Sequence, residues 1–265
     1  MLAMLSPLSR KAYRIDPHLR GVNRMAVQGS YISWRIRQAV LPFVRVYGQW
    51  VEERIIPLVS QLTAMADAVE KKAYDELMSQ PVGEDYSGDG SEEAEYAFDA
   101  GLSFYQNITA MYQGTLNLFA AGLFHVIEQQ LADITRDGAI DIKGPDTKLE
   151  NVIGWYKQHF HVDLMHYPSW SLIDEVRLVA NTTKHAEGQS ATKLRSIHAE
   201  LFQNPLLRKV DPHTPVFHMP VNLPLGGDGL YVTGDDFRRY HTAALELFDW
   251  LVVHFENHAD QYYPQ

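Results

Sequence analysis

The chain has 265 residues and no cysteine, which excludes disulfide bonds and thiolate metal sites. No apolar run approaches the ~18 residues that a membrane span needs, so we expect no membrane association. The chain begins with MLAMLSPLSRK, in which apolar residues precede the basic ones. A secretory signal has the opposite order, so these features together predict a cytoplasmic protein.

Positive charge is missing from one long stretch. Residues 73–135 contain 11 acidic residues and neither lysine nor arginine. The whole chain has 33 acidic and 23 basic residues, and 33 minus 11 leaves 22 acidic residues elsewhere. Residues 1–50 contain eight basic residues and one acidic residue. A protein of net charge −10 can therefore have local positive potential. The basic residues of 1–50 predict one of two arrangements. They either form a phosphate-binding patch or pack against the acidic stretch at 73–135.

Apolar residues recur mainly at helical spacing, which predicts an all-α fold built as a multi-helix bundle. We expect an N-terminal helical region over residues 1–79, packing on the core. A loop rich in glycine and acidic residues follows over residues 80–91, before a helical domain over residues 92–265. Pro42 and Pro57 lie inside the N-terminal helical run, where each should break or kink the helix.

The longest predicted helix covers residues 92–135 and has apolar residues around much of its girth, which is typical of a central core helix. Phe98, Leu102 and Met111 are among the side chains expected to face that core. A small β-hairpin is predicted at about 216–233. Thr233 followed by Asp236 resembles a capping box, which would open the C-terminal helix.

Residues 171–188, SLIDEVRLVANTTKHAEG, contain the most informative pattern in the chain. On a helix this segment places apolar side chains on one face and polar side chains on the other. The polar face consists of Asp174, Arg177, Asn181, Lys184 and His185. Because Arg177, Asn181 and His185 follow one another at i, i+4 spacing, their side chains are expected to meet.

This group of side chains has the chemistry needed to cleave RNA without a metal. A histidine can move the proton of a 2′-hydroxyl group near neutral pH. Arg177 or Lys184 can stabilise the charge that develops on the phosphate, and Asn181 can orient it. Asp174 can hold Arg177 in place. The alternative is an ordinary amphipathic surface helix, in which Asp174 and Arg177 form a common i, i+3 pair.

The run Asn-Thr-Thr-Lys-His at 181–185, preceded by Glu175 and Arg177, resembles the Arg-Asn-x-x-x-His segment of the HEPN superfamily. The resemblance covers about residues 92–200. Members are helical proteins of toxin–antitoxin and phage-defence systems, and many are metal-independent ribonucleases that act as dimers. The resemblance therefore implies an HEPN-like core, an RNA substrate, a homodimer and no cofactor.

Under this resemblance His185 matches the catalytic histidine and Asn181 the neighbouring polar residue. We assign Arg177, Asn181, Lys184 and His185 to catalysis, and Asp174 and Glu175 to substrate binding. The chain departs from the family pattern at Ala180, where an arginine usually stands. Either Arg177 and Lys184 take over that role, or the chain is a non-catalytic subunit that binds RNA or a protein partner in a defence or toxin–antitoxin complex.

A second cluster lies in the run HFHVDLMH at 159–166, which brings His159, His161, Asp163 and His166 close together in sequence. Imidazole and carboxylate groups are ligands for zinc and other transition metals. This pattern favours a metal-dependent helical hydrolase as a further alternative, although a turn with half-buried histidines gives the same sequence.

Overall fold

A computed structural model describes residues 27–79, 90–136, 144–146, 148–205, 229–260 and 262–263. These ranges contain eight α-helices, which are α1 (Gly29–Arg35), α2 (Leu41–Trp50), α3 (Leu62–Met78), α4 (Ser91–Thr135), α5 (Leu149–Trp155), α6 (Trp170–His185), α7 (Gln189–Ile197) and α8 (Gly234–Asn257). A single short strand pair is described, in which β1 (Val27–Gln28) runs antiparallel to β2 (Tyr262–Tyr263). The predicted all-α fold is confirmed. No helix in these ranges combines the length and apolarity that crossing a membrane requires.

The two prolines of the N-terminal run change the helix type instead of ending the helix. A π-helical turn at Ile36–Val40 precedes Pro42, and another at Val51–Ile55 precedes Pro57. Each proline then occupies the first turn of the next segment, α2 or the 3₁₀ helix Ile56–Gln61. A missing backbone donor costs least in a first turn, so the chain stays in helical turns through to α3.

The core surrounds α8, which packs against α1, α2, α4 and α6. Its start is fixed by the predicted capping box, which is confirmed. The Thr233 hydroxyl accepts from the Asp236 amide, and the Asp236 carboxylate accepts from the Thr233 amide. Seven apolar side chains recur at helical spacing along α8 and are all buried, namely Phe237, Tyr240, Ala244, Leu247, Phe248, Leu251 and Phe255.

Helices α2 and α8 approach closely at Gly48, which lies under the ring of His241. A Cβ atom at Gly48 would overlap atoms of that ring, so any larger residue requires the His241 side chain to move. His241 is buried, and its Nδ1 lies 2.7 Å from Oε1 of Glu52. The contact of His241 with Glu52 and its packing on the backbone of Gly48 therefore both hold α8 at this crossing.

The segment before α8 was predicted to form the second strand of a hairpin. Residues 216–228 of that prediction lie outside the described residues, and residues 229–233 form no strand. Asn117 of α4 donates from Nδ2 to the Leu230 carbonyl (2.8 Å) and accepts from the Val232 amide (3.1 Å). Gln113 donates to the Val232 carbonyl (2.9 Å). Two amide side chains thus satisfy the backbone that a neighbouring strand would otherwise pair.

The two halves of α4 lie in different surroundings. Its C-terminal half is central to the core, with Leu116, Leu123, Ile127 and Leu131 buried. Its N-terminal half, residues 91–111, pairs with α3, and we call this two-helix unit the arm. The prediction that Phe98, Leu102 and Met111 face a core is wrong, because all three are exposed. Most of the predicted acidic loop, residues 80–89, lies outside the described residues.

Candidate functional site

The predicted polar helix is α6, which packs against α4, α7 and α8. Ile173, Val176 and Val179 recur every three residues and are fully buried. This apolar side fixes the rotation of α6, because any other orientation would expose these side chains. Asp174, Arg177 and Asn181 are half-buried on the other side, and Lys184 and His185 are exposed, so the chain presents the predicted polar face.

The N-terminal part of this face is a closed ion-pair cluster. Arg177 donates from Nε and Nη2 to Oδ1 of Asp174, at 2.8 and 2.6 Å. Lys193 of α7 donates to the other carboxylate oxygen at 3.1 Å. Partial burial pushes the pKa of Asp174 upward, but the hydrogen bonds from Arg177 and Lys193 outweigh it and hold that pKa below its ordinary value. One carboxylate thus holds two cations and joins α6 to α7.

The structure does not bring Arg177 and His185 together. The guanidinium group of Arg177 is bound one turn toward the start of α6, at Asp174. His185 follows eight residues later, which corresponds to about 12 Å along the helix axis at 1.5 Å per residue. The expectation that these two side chains meet at a single phosphate is therefore not fulfilled. Arg177 serves the ion-pair cluster.

Asn181, Lys184 and His185 form a compact group at the C-terminal end of α6. Asn181 lies three and four residues before the other two, so the three side chains are neighbours on the helix surface. In the parts of the chain that the structure describes, none of the three makes a side-chain hydrogen bond or ion pair. An amide, an ammonium group and an imidazole are therefore available to an external ligand.

Ala180, which the sequence resemblance aligns with the usual arginine of HEPN proteins, is 2% exposed. It belongs to the side of α6 that packs on the core. An arginine placed there would have to leave through the packed interior to reach Asn181. The rotation of α6 thus accounts for a small residue at this position, and the cation beside Asn181 is Lys184 instead of an arginine.

Glu175, assigned to substrate binding by the sequence, lies inside the protein with 2% exposure. Its Oε1 accepts from the Tyr240 hydroxyl at 2.6 Å, and Arg239 donates to the same oxygen at 3.4 Å. Nε2 of His198 lies 3.4 Å from Oε2. Burial, together with the neighbouring carboxylate, strongly raises the pKa of Tyr240. Glu175 therefore does not reach the polar face, and instead holds α6 against α8.

The partners of Glu175 could not be identified from the sequence, because they come from distant positions. The one available signal was an acidic residue at a position of α6 that faces the same side as Val176 and Val179. A charge on a buried face needs hydrogen-bonding partners, since an unpaired buried charge costs several kcal/mol. The pattern thus predicts that partners exist without telling which residues they are.

The cluster of histidines at 159–166 does not converge. The rings of His159 and Trp155 are tilted with centroids 4.7 Å apart. Asp163 accepts a hydrogen bond from Lys157 at 2.9 Å, and Nε2 of His166 lies 4.0 Å from the same carboxylate. His161 has a positive φ of 56° at the end of a π-helical turn. Across the described ranges, no group of three or more histidine, aspartate or glutamate side chains is placed to hold a metal ion.

Comparisons with protein-family models, with curated proteins and with solved structures find no match to this chain.

Proposed function

We propose that the chain is an HEPN-like protein that binds RNA through Asn181, Lys184 and His185. The observation that carries this proposal is that three adjacent side chains, all suited to phosphate or base contacts, have no partner of their own in the described part of the chain. The sequence resemblance at residues 181–185 supports the same segment. Asp174 and Arg177, the other two residues of the predicted polar face, are already engaged in ion pairs.

The geometry favours binding over cleavage. Cleavage by the family's arrangement needs an arginine beside the histidine, and Ala180 and the Asp174-bound Arg177 leave none there. Lysine contacts phosphate as a point charge, which supports affinity without the bidentate geometry of arginine. We therefore place the chain among non-catalytic RNA-binding subunits of a defence or toxin–antitoxin complex.

The test is fluorescence anisotropy of a labelled single-stranded RNA titrated with the full chain in EDTA. Replacing Lys184 and His185 by alanine should weaken binding about tenfold, and Lys184→Ala alone should lower the slope of log affinity against log salt by about one. The control replaces Lys72 and His166, two well-exposed residues of the same types that lie apart from this site and each beside a carboxylate, and should leave affinity unchanged. Equal loss in both double variants would contradict the proposal.

Asp174→Asn provides a test with the opposite sign. The substitution removes a negative charge and releases Arg177 and Lys193 from the carboxylate that holds both. Two cations then become available beside the proposed site, so RNA affinity should rise by a few-fold, more at low salt than at high salt. A decrease in affinity would mean that the Asp174 cluster itself contacts the RNA.

Metal-independent cleavage is the second candidate, and the exposed imidazole of His185 next to Lys184 favours it. His185 would take the proton of the 2′-hydroxyl group, whose oxygen attacks phosphorus while the 5′-oxygen leaves with a proton. The products are a 2′,3′-cyclic phosphate and a 5′-hydroxyl. In a homodimer with opposed polar faces, the second His185 would protonate the leaving group. RNA cleavage in EDTA that His185→Ala abolishes would establish this candidate; intact RNA under saturating binding would remove it.

A further inference from the structure

The arm carries an uncovered row of apolar side chains. Phe98, Leu102 and Tyr105 occupy i, i+4 and i+7 positions on α4 and therefore form one line along the helix. Their exposed fractions are 54%, 43% and 38%. Met65 of α3, which is 43% exposed, lies at the level of this line, since a Cβ atom at Gly101 would lie 3.4 Å from the carbonyl oxygen of Ala66. Exposed apolar residues arranged in a row are characteristic of a surface that binds another protein.

This row leads into a cavity of about 540 Å³ between α4, the 3₁₀ helix before α3, and the segment before α8. Tyr105 belongs to both the row and the cavity wall. Ile56, Leu62, Leu116 and Val232 supply much of the remaining lining, which is mainly apolar. The row and the cavity together follow α4 from residue 98 to residue 116, or about 27 Å, which equals about five helical turns. We call this surface the arm groove.

The arm side of the groove is acidic, whereas the cavity is lined by one acidic and one basic residue, Asp235 and Arg238. Residues 62–79 and 90–111 contain eight acidic residues, namely Asp67, Glu70, Asp75, Glu76, Glu92, Glu93, Glu95 and Asp99, against two basic residues, Lys71 and Lys72. Two copies of this surface facing each other would bring like charges together, which disfavours self-association through the arm. A partner surface with an apolar face bordered by basic residues would complement both the apolar row and the acidic residues of the arm.

We propose that the arm groove binds an amphipathic α-helix of a partner protein, with a basic polar face and a bulky apolar side chain that enters the cavity. A helix that binds in a groove places its own apolar anchors at i, i+4 and i+7, so its apolar face can lie along the exposed row. The basic face would lie against the acidic residues of the arm, and the cavity supplies the enclosed pocket where an anchor contributes most affinity. This site is separate from the polar face of α6 and does not depend on RNA binding.

The experiment uses the full chain and a labelled synthetic helix of about 18 residues with leucine on one face and lysine on the other. Leu102→Lys replaces an apolar contact by a repelling charge and should weaken binding about tenfold. Met111→Lys is the matched control on the same helix. Met111 is 60% exposed, does not line the cavity, and lies about 180° around the helix from Leu102. It should change affinity less than about twofold.

A second variant tests the cavity. Val59 lines the cavity and is 53% exposed, so Val59→Trp fills the entrance with little effect on folding. The peptide should bind more weakly to this variant too, whereas Val46→Trp, on the exposed surface of α2, should not change affinity. Equal weakening by Leu102→Lys and Met111→Lys would overturn the proposal. Unchanged affinity with Val59→Trp would also overturn it, and so would equal binding of a shuffled peptide of the same composition. Urea unfolding midpoints of all variants establish that each is folded.

Discussion

The two halves of α4 share one continuous helix and a similar density of apolar residues, yet they have opposite roles. From Leu116 onward the helix is surrounded by α2, α6 and α8, and most of its apolar side chains are buried, although Leu118 is exposed. Before Met111 it has α3 as its main neighbour, and several large apolar side chains remain exposed. Apolar periodicity thus shows which residues seek an apolar contact, while the neighbouring helices determine whether the protein itself supplies that contact.

The largest expected difference between the halves comes from matched truncations. Leu123→Ala removes a fully buried side chain and should lower the free energy of unfolding by about 3 kcal/mol, because it leaves a cavity in a packed core. Leu102→Ala, on the arm, should lower it by less than about 1 kcal/mol. Urea unfolding of both variants measures the difference. Equal losses would mean that the arm is as tightly packed as the core.

A polar pair gives a second comparison along α4. Asn117→Leu leaves the Leu230 carbonyl and the Val232 amide unpaired in a buried place, which should cost about 2 to 3 kcal/mol. Asn107→Leu, in the exposed half, removes only a bond to the Ser103 carbonyl of the same helix and should change stability by less than about 0.5 kcal/mol. Urea unfolding midpoints measure both losses of stability. A loss below about 1 kcal/mol for Asn117→Leu would show that water replaces the lost hydrogen-bond partners.

The close crossing of α2 and α8 lies in the core, beside the buried half of α4. We expect this crossing to tolerate added atoms poorly. Gly48→Ala places a methyl group against the His241 ring and should cost about 2 kcal/mol through overpacking. His241→Ala opens space at the same point, so the double variant should lose less than the sum of the single variants. Thermal unfolding of the four proteins of this cycle gives the coupling. Strict additivity would mean that the two residues do not touch.

The smallest predicted effect concerns the ion-pair cluster of α6 and its dependence on pH. The pKa of Asp174 is lower in the folded chain than its ordinary value of 3.8, so its contribution to stability is present above about pH 3.8 and is lost as pH falls through the folded value. Asp174→Asn should therefore be modestly less stable than the wild type at pH 7, with the difference vanishing near the folded pKa. Urea unfolding between pH 2.5 and about 7 follows this trend. If the variant remained less stable than the wild type in acid, the loss of stability would come from packing and not from the ion pairs.

The helices and the start of α8 were predictable from the sequence because they depend on local signals. The Thr233–Asp236 box and the inward row from Phe237 to Phe255 are short-range patterns, and the structure has both. The arm was not predictable, because exposure of Phe98 and Leu102 follows from which helices lie beside them. The pairing of the 230–232 backbone with Asn117 also joins residues more than 100 positions apart.

The candidate site divides in the same way. The polar face of α6 follows from helical spacing, and none of its five residues is fully buried. The hydrogen-bond partners of the α6 side chains do not follow from spacing. Asp174 binds Lys193 of the next helix in addition to Arg177, and Glu175 on the buried side binds Tyr240 of α8. Spacing alone could not distinguish the engaged Arg177 from the available Lys184.

The most direct test of the functional proposal is hydrogen–deuterium exchange of the full chain with and without saturating single-stranded RNA. We predict slower amide exchange in the last turn of α6 and the turn that follows it, residues 181–188, and unchanged exchange in α3 and in residues 91–111 of α4. Slower exchange confined to the arm, or no change anywhere in residues 181–188 while RNA is bound, would contradict the placement of the RNA site on α6.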